Sequence, residues 1–131
     1  MRRLLAALVL VAAAVTPVGG SHPMSGPLLT IDPASLQRLR DEGRPLALID
    51  VRPAGAYARG RLPGARSIPL DALVPRRSEV PAAAIVVLYG AEGVDEAASA
   101  ARYLRTTGHT AVFVLEGGFS GWQARGLGVE P

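Results

Sequence analysis

Leu46-Ala47-Leu48-Ile49-Asp50-Val51 and Ile85-Val86-Val87-Leu88-Tyr89 decide the fold. Each is an almost unbroken apolar run of strand length, and Asp50 is the one charge in either. A strand with one face in water alternates apolar and polar residues, whereas a continuous run marks a strand covered on both faces, as in a parallel sheet. Parallel neighbours need long crossovers, so the segments between the runs should hold helices.

The flanking sequence supplies them. Leu28-Leu29-Thr30-Ile31 is a short strand candidate, and Asp32-Pro33 follows as a capping residue before a proline suited to the first helical position. Leu36 and Leu39 then share a face, and Gly43 ends the helix. Pro53 to Arg59 predicts one or two turns of helix, Gly60 to Gly64 a loop, and Ser67-Ile68 a short strand. The second run extends back to Ala84. After it, Asp95 reads as the cap of a helix through Thr107, ended by Gly108, with Ala97, Ala98, Ala101 and Leu104 facing inward. Ala111 to Leu115 is a final strand, Gly117-Gly118 a turn, and Phe119 to Arg125 a closing helix containing Trp122. The alternation predicts an α/β domain: a central, mostly parallel five-stranded sheet with helices on both faces and right-handed crossovers.

Composition narrows the chemistry. The chain has 131 residues, which allows one domain with a core of its own. It has no cysteine, which removes disulfides, thiolate nucleophiles, persulfide carriers and Cys-ligated metals. All 14 basic residues are arginine. From Ser21 onward 12 Arg stand against 11 acids, and they are scattered, so no basic stripe marks a nucleic-acid surface. Arg76-Arg77 reads as an exposed loop pair.

Met1-Arg2-Arg3, the apolar run Leu4 to Val15 and the small residues up to Gly20 have the three parts of a secretory signal. A bilayer span needs about 20 apolar residues, so the run is short for one; a buried helix or an uncleaved anchor is the alternative. The expected organisation is a signal peptide at 1–20, a Ser/Gly/Pro linker at 21–27, a domain at 28–126 and a tail at 127–131. The mature chain is then exported, periplasmic or extracellular, with no membrane segment left.

Three segments together resemble the rhodanese family of sulfurtransferase-like domains. One is Leu48 to Pro53 with Tyr57, Gly60, Leu62-Pro63-Gly64-Ala65 and Ser67-Ile68-Pro69, which is similar to the family's Asp-hydrophobic-Arg strand end and Gly-His-Ile-Pro-Gly-Ala loop, with Arg61 in place of the usual His. Another is Val114-Leu115-Glu116-Gly117-Gly118-Phe119 with Trp122, similar to the C-terminal Glu-Gly-Gly and Trp signature. In active members the strand between them ends at a catalytic cysteine. The resemblance puts Gly90 at that position, Gly93 at the loop glycine and Asp95 at the loop arginine, in the segment Gly90-Ala91-Glu92-Gly93-Val94-Asp95-Glu96. Glycine can neither attack sulfur nor carry it. A loop of N–H groups at a helix start ordinarily attracts anions, whereas Glu92, Asp95 and Glu96 bring negative charge to it and can occupy its donors.

Plainer roles compete for each residue. Asp50 and Arg52 at a strand end read as a charged pair that holds loops. Gly60, Gly64, Gly117 and Gly118 read as turn glycines, Glu116 as part of the structural motif, and Trp122 and Phe119 as core, with the indole N–H partnered. His22 and His109 lack metal-ligand spacing, and His109 reads as a surface residue beside a helix end. No cofactor is expected. The leading expectation is a sulfurtransferase-family domain without the sulfur-transfer nucleophile, binding a protein partner at the acidic loop through Glu92, Asp95 and Glu96. The alternatives are an enzyme using those carboxylates or a metal they hold, and a non-catalytic subunit of an active sulfurtransferase. The sequence leaves the oligomeric state open. Mass spectrometry of the secreted protein should find a start at Ser21 or Val15; a chain retained in the cytoplasm and starting at Met1 would sink the export reading.

Overall fold

The computed structural model describes residues 27–82 and 84–131. The expected signal peptide at 1–20 and most of the expected linker at 21–27 lie outside them. Among the described residues no helix is long and apolar enough to cross a membrane. The elements in chain order are β1 (Thr30–Ile31), α1 (Pro33–Asp41), β2 (Leu46–Asp50), α2 (Ala54–Arg59), β3 (Arg66–Ser67), β4 (Ile85–Tyr89), α3 (Asp95–Arg105), β5 (Val112–Leu115) and α4 (Gly118–Ala124). Short 3-10 turns at Leu70–Ala72 and Arg77–Glu79 fill the connection from β3 to β4.

The sheet order is β1-β5-β4-β2-β3, and every pair is parallel. The expected five-stranded sheet is present, and all of its pairs are parallel. Both faces are buried, as the continuous apolar runs require. Along β4, Val86 and Leu88 point into one cluster with Ala97, Ala101 and Leu104 of α3, while Val87 and Tyr89 point into the other with Leu36 of α1 and Trp122 of α4. The period-two alternation of a strand is present, but both positions are apolar, so the sequence shows a run. On α3 the alanines at 97, 98, 100 and 101 are all buried.

Several boundaries move. Val94, not Asp95, is the N-cap of α3, and the helix stops at Arg105 with Thr106 at its C-cap. β3 lies one residue earlier than Ser67-Ile68, because it is set by pairing of Arg66 with Ile49 and Ser67 with Asp50. His109 is buried rather than on the surface: its Nε2 lies 2.9 Å from the Val80 carbonyl and its Nδ1 2.9 Å from Thr107 Oγ1. A carbonyl can only accept, so Nε2 carries a proton and ties the helix end to the 3-10 turn before β4. Arg76 is half-buried, donating to Glu79 at 2.8 Å and to the Ser67 carbonyl at 3.1 Å, so it anchors that connection instead of standing free. Trp122 is core, and its indole N–H donates to the Gly128 carbonyl at 2.8 Å.

The register places Asp50 beside Tyr89 and Ser67, so the carboxyl ends of β2, β3 and β4 meet at one edge. Asp50 is fully buried there. Arg52 donates to it from Nε at 3.0 Å and from Nη2 at 2.6 Å, and the Tyr89 hydroxyl donates to it at 2.7 Å. The Tyr89 oxygen in turn accepts the Leu62 N–H at 3.1 Å, and Arg52 Nη2 reaches the Gly60 carbonyl at 2.7 Å. The pair thus ties the Gly60–Leu62 loop to the strand ends. Burial would by itself favour the neutral form of Arg52, but its hydrogen bonds to Asp50 outweigh that and hold the guanidinium above its ordinary range. Burial, then the bond to Asp50, pushes the Tyr89 phenol well above its ordinary value of 10.0. Since the unfolded phenol ionises first, this contribution to stability is complete below pH 10.0 and falls as the pH rises past it. Tyr89→Phe should destabilise the domain by about 1–3 kcal/mol at neutral pH through the orphaned Leu62 N–H. It should also flatten the alkaline loss of stability in denaturant titrations; an unchanged alkaline slope would contradict this account.

Candidate functional site: a degenerate loop closed by its own carboxylate

The loop from Gly90 to Val94 leaves β4 and enters α3 at the carboxyl edge of the sheet, where open parallel α/β sheets place their sites. Its backbone is fixed from both sides. On one side the Gly90 and Ala91 carbonyls accept the N–H groups of Phe119 (2.8 Å) and Ser120 (2.9 Å), so the loop rests on the start of α4. Gly118 makes this approach: a Cβ there would lie 2.7 Å from the Gly90 oxygen and 2.9 Å from the Glu92 nitrogen, and its φ is +58°. Only glycine accommodates both constraints.

On the other side stands Glu96. Its Oε1 accepts the Ala91 N–H at 2.8 Å. A Cβ built at Gly90 would lie 2.8 Å from Glu96 Cβ and 2.9 Å from Cδ, and closer still to Oε1. The carboxylate therefore occupies the volume into which any side chain at position 90 would project. Glu96 sits in the first turn of α3, where the helix dipole favours a negative charge, so the plug is held by a hydrogen bond and by the field of the helix together.

The three acids of the loop do different things. Glu96 alone takes a backbone donor of the loop. Glu92 and Asp95 are exposed and make no hydrogen bond or ion pair among the described residues. Nor do the acids gather: among the described residues no group of three His, Asp or Glu side chains is placed to hold a metal ion. The expectation that all three could occupy the loop's donors is thus narrowed to one.

A cleft of about 340 Å³ opens beside Glu96, lined also by Val51, Pro53, Pro69, Leu70 and Asp71. Leu70 and Val74, on and next to the first 3-10 turn, are 38% and 53% exposed. Of this apolar lip, Val51, Pro53 and Pro69 belong to the motif quoted from the sequence, whereas Leu70 and Val74 carry no sequence signal. Its residues have no period of their own, and only β2–β3 pairing carries Pro69 and Leu70 to the loop, where the Leu70 N–H donates to the Val51 carbonyl at 3.0 Å. The motif residues lie around the same edge. Asp50 and Arg52 form the buried pair described above; Gly64 donates its N–H to Glu130 at 3.4 Å; exposed Glu116 accepts from Thr30 Oγ1 at 2.9 Å; Gly117, with φ +81°, is the N-cap of α4.

Residues 32–125 match the sequence description of the Rhodanese-like domain. The chain belongs to the rhodanese-like family. Among its relatives, YqhL of Bacillus subtilis is 39% identical over 79 residues, covering 60% of this chain and 62% of the relative. A sulfurtransferase of Allochromatium vinosum is 32% identical over 97 residues, covering 74% of this chain and 90% of the relative. The chain thus spans less than two thirds of the Bacillus protein and most of the Allochromatium one. The rhodanese-like domain of an Anabaena protein superposes with a TM-score of 0.69 at 31% identity, covering 77% of each chain. This member of the family has no cysteine anywhere in its sequence, and Glu96 closes the place where the resemblance sets one.

The plug makes the cost of a side chain at 90 measurable. Gly90→Ala should destabilise the domain by about 1–3 kcal/mol through overpacking, and Glu96→Ala in the same chain should recover most of that loss. Additive effects in a double-mutant cycle would show that the two positions do not compete for one volume.

Proposed function

We propose that this is a non-catalytic rhodanese-like domain that works as a binding module on the exported side of a membrane, presenting its acidic loop and the adjoining apolar lip to a basic protein partner. One observation carries the reading: a carboxylate of the protein itself fills the space and takes the backbone donor that a reacting group at the end of β4 would need. Sulfur transfer by this family requires a thiolate at that point, and no thiol exists in the chain. An anionic sulfur donor would meet the Glu96 carboxylate where a cation or an open N–H should be.

What remains exposed supports binding. Glu92 and Asp95 are unpaired among the described residues, Asp71 adds a third exposed acid across the cleft, and Leu70 and Val74 lie beside it. An apolar contact rimmed by charge of one sign suits a partner that offers apolar side chains flanked by arginine or lysine.

The purified chain should show no thiosulfate:cyanide sulfurtransferase activity. Gly90→Cys should add little, because the new side chain must displace Glu96 and the acids still repel the anion; thiocyanate formation at a family-like rate by the natural chain would end this reading, and by Gly90→Cys alone would end its electrostatic part. For the partner captured from the exported fraction, Glu92→Arg with Asp95→Arg should lower affinity about tenfold at low salt, with most of the difference lost at high salt. Equal binding by this variant would place the interface elsewhere.

A further inference from the structure

A second cavity, about 280 Å³, lies between α2 and α4 and is walled on a third side by the segment from Val129 onward. It shares no residue with the cleft at Glu96. Arg52 lines it, with a side chain only 7% exposed. The Nε and Nη2 of this guanidinium are taken by Asp50 and the Gly60 carbonyl, whereas Nη1 makes no hydrogen bond among the described residues. No fully buried side-chain nitrogen in the described structure lacks a partner, so Nη1 is the part of the group that opens to the cavity. A nine-tenths buried cation thus keeps one nitrogen without a hydrogen bond at the edge of a space that the described residues leave unfilled.

The rest of the lining indicates what would fill it. Arg59, at the end of α2, reaches the same cavity and forms no ion pair among the described residues. Among the acidic side chains Glu130 lines the wall; it is half-exposed, and its Oε1 is directed at Arg61 (3.6 Å) and the Gly64 N–H (3.4 Å) rather than at Arg52 or Arg59. The Gln123 amide adds a neutral polar group. Phe119, whose ring the Arg52 guanidinium covers at 4.1 Å, supplies apolar wall together with Ala56 and Val129. Two guanidinium groups beside an aromatic ring and aliphatic wall suit an anion carried on an apolar body, and the planar fork of arginine matches a carboxylate. The volume sits just below the roughly 300–1,000 Å³ of ordinary ligand pockets, which limits the occupant to about one ring.

We propose that this cavity binds a small organic carboxylate, its anionic end between Arg52 Nη1 and Arg59 and its apolar body against Phe119 and Val129. The site is independent of the partner surface at the loop, and either can fail without the other. Titration of the full chain with benzoate, followed by NMR, is the test, with neutral benzamide as the matched control. The expected result is saturable shifts of the Arg52 and Arg59 Nε–H and Gln123 amide signals by benzoate, a much weaker response to benzamide, and about tenfold weaker benzoate binding in Arg59→Gln. Arg59 is exposed and unpaired among the described residues, so its replacement should leave the fold intact; an unchanged denaturation midpoint checks this. Absence of saturation through the millimolar range, equal shifts by benzamide, undiminished binding in Arg59→Gln, or shifts confined to the Glu96 cleft would each overturn the proposal.

Discussion

A carboxylate buried without water must find its full set of donors inside the protein, and Asp50 does so by gathering the carboxyl edge of the sheet around itself. Arg52 comes from two residues further along the same strand end, Tyr89 from the neighbouring strand, and through them the Gly60–Leu62 loop is drawn in. Each partner is itself held by another: the Tyr89 oxygen accepts from Leu62, Arg52 Nη2 donates to Gly60, and the Phe119 ring lies against the guanidinium. Removing one member would leave a charge or an N–H stranded in a low-dielectric interior. The edge of the sheet is therefore held rigid at the place where β4 ends and the loop to α3 begins, which fixes where Gly90 stands.

On that rigid frame the loop has been closed rather than merely emptied. Loss of a side chain at position 90 would by itself leave a small hole and a free N–H at Ala91. Glu96 fills both, since it projects from the first turn of α3 back over the loop, and the helix dipole favours its charge there. Gly118 completes the arrangement from the opposite side by allowing α4 to donate to the loop carbonyls. One contact serves the loop's stability and shuts one of its donors to an outside anion: the Ala91 N–H is directed at Glu96. Glu92 and Asp95, which no donor among the described residues claims, are left exposed.

The two arginines of the Asp50 edge and α2 show how one residue can serve two neighbourhoods. Arg52 secures Asp50 with two of its nitrogens and turns the third toward the cavity over Phe119, where Arg59 also arrives. A lysine at 52 would have had one nitrogen for all of this. The planar fork divides the work.

Much of this was legible in the residues. The apolar runs at Leu46–Val51 and Ile85–Tyr89 dictated a parallel sheet because only strands covered on both faces can be apolar at every position, and the spacing of caps and glycines placed the helices to within a residue or two. The absence of cysteine excluded thiol chemistry without reference to any coordinates. What the sequence could not carry were relations between residues far apart along the chain. His109 looked like a surface residue because its acceptor, Val80, belongs to another connection; Asp95 looked like a cap because its side chain fits one, yet the backbone turns at Val94; the Leu70 lip has no periodicity to betray it. That Glu96, and not its two acidic neighbours, takes the volume beside Gly90 depends on how α3, with its buried alanines, seats against the sheet. Composition and period fixed which elements form and which chemistry is absent, because those depend on local backbone preference and side-chain type; which carboxylate closes the loop and which guanidinium nitrogen stays open depended on packing, since only the folded chain brings those atoms within hydrogen-bonding distance.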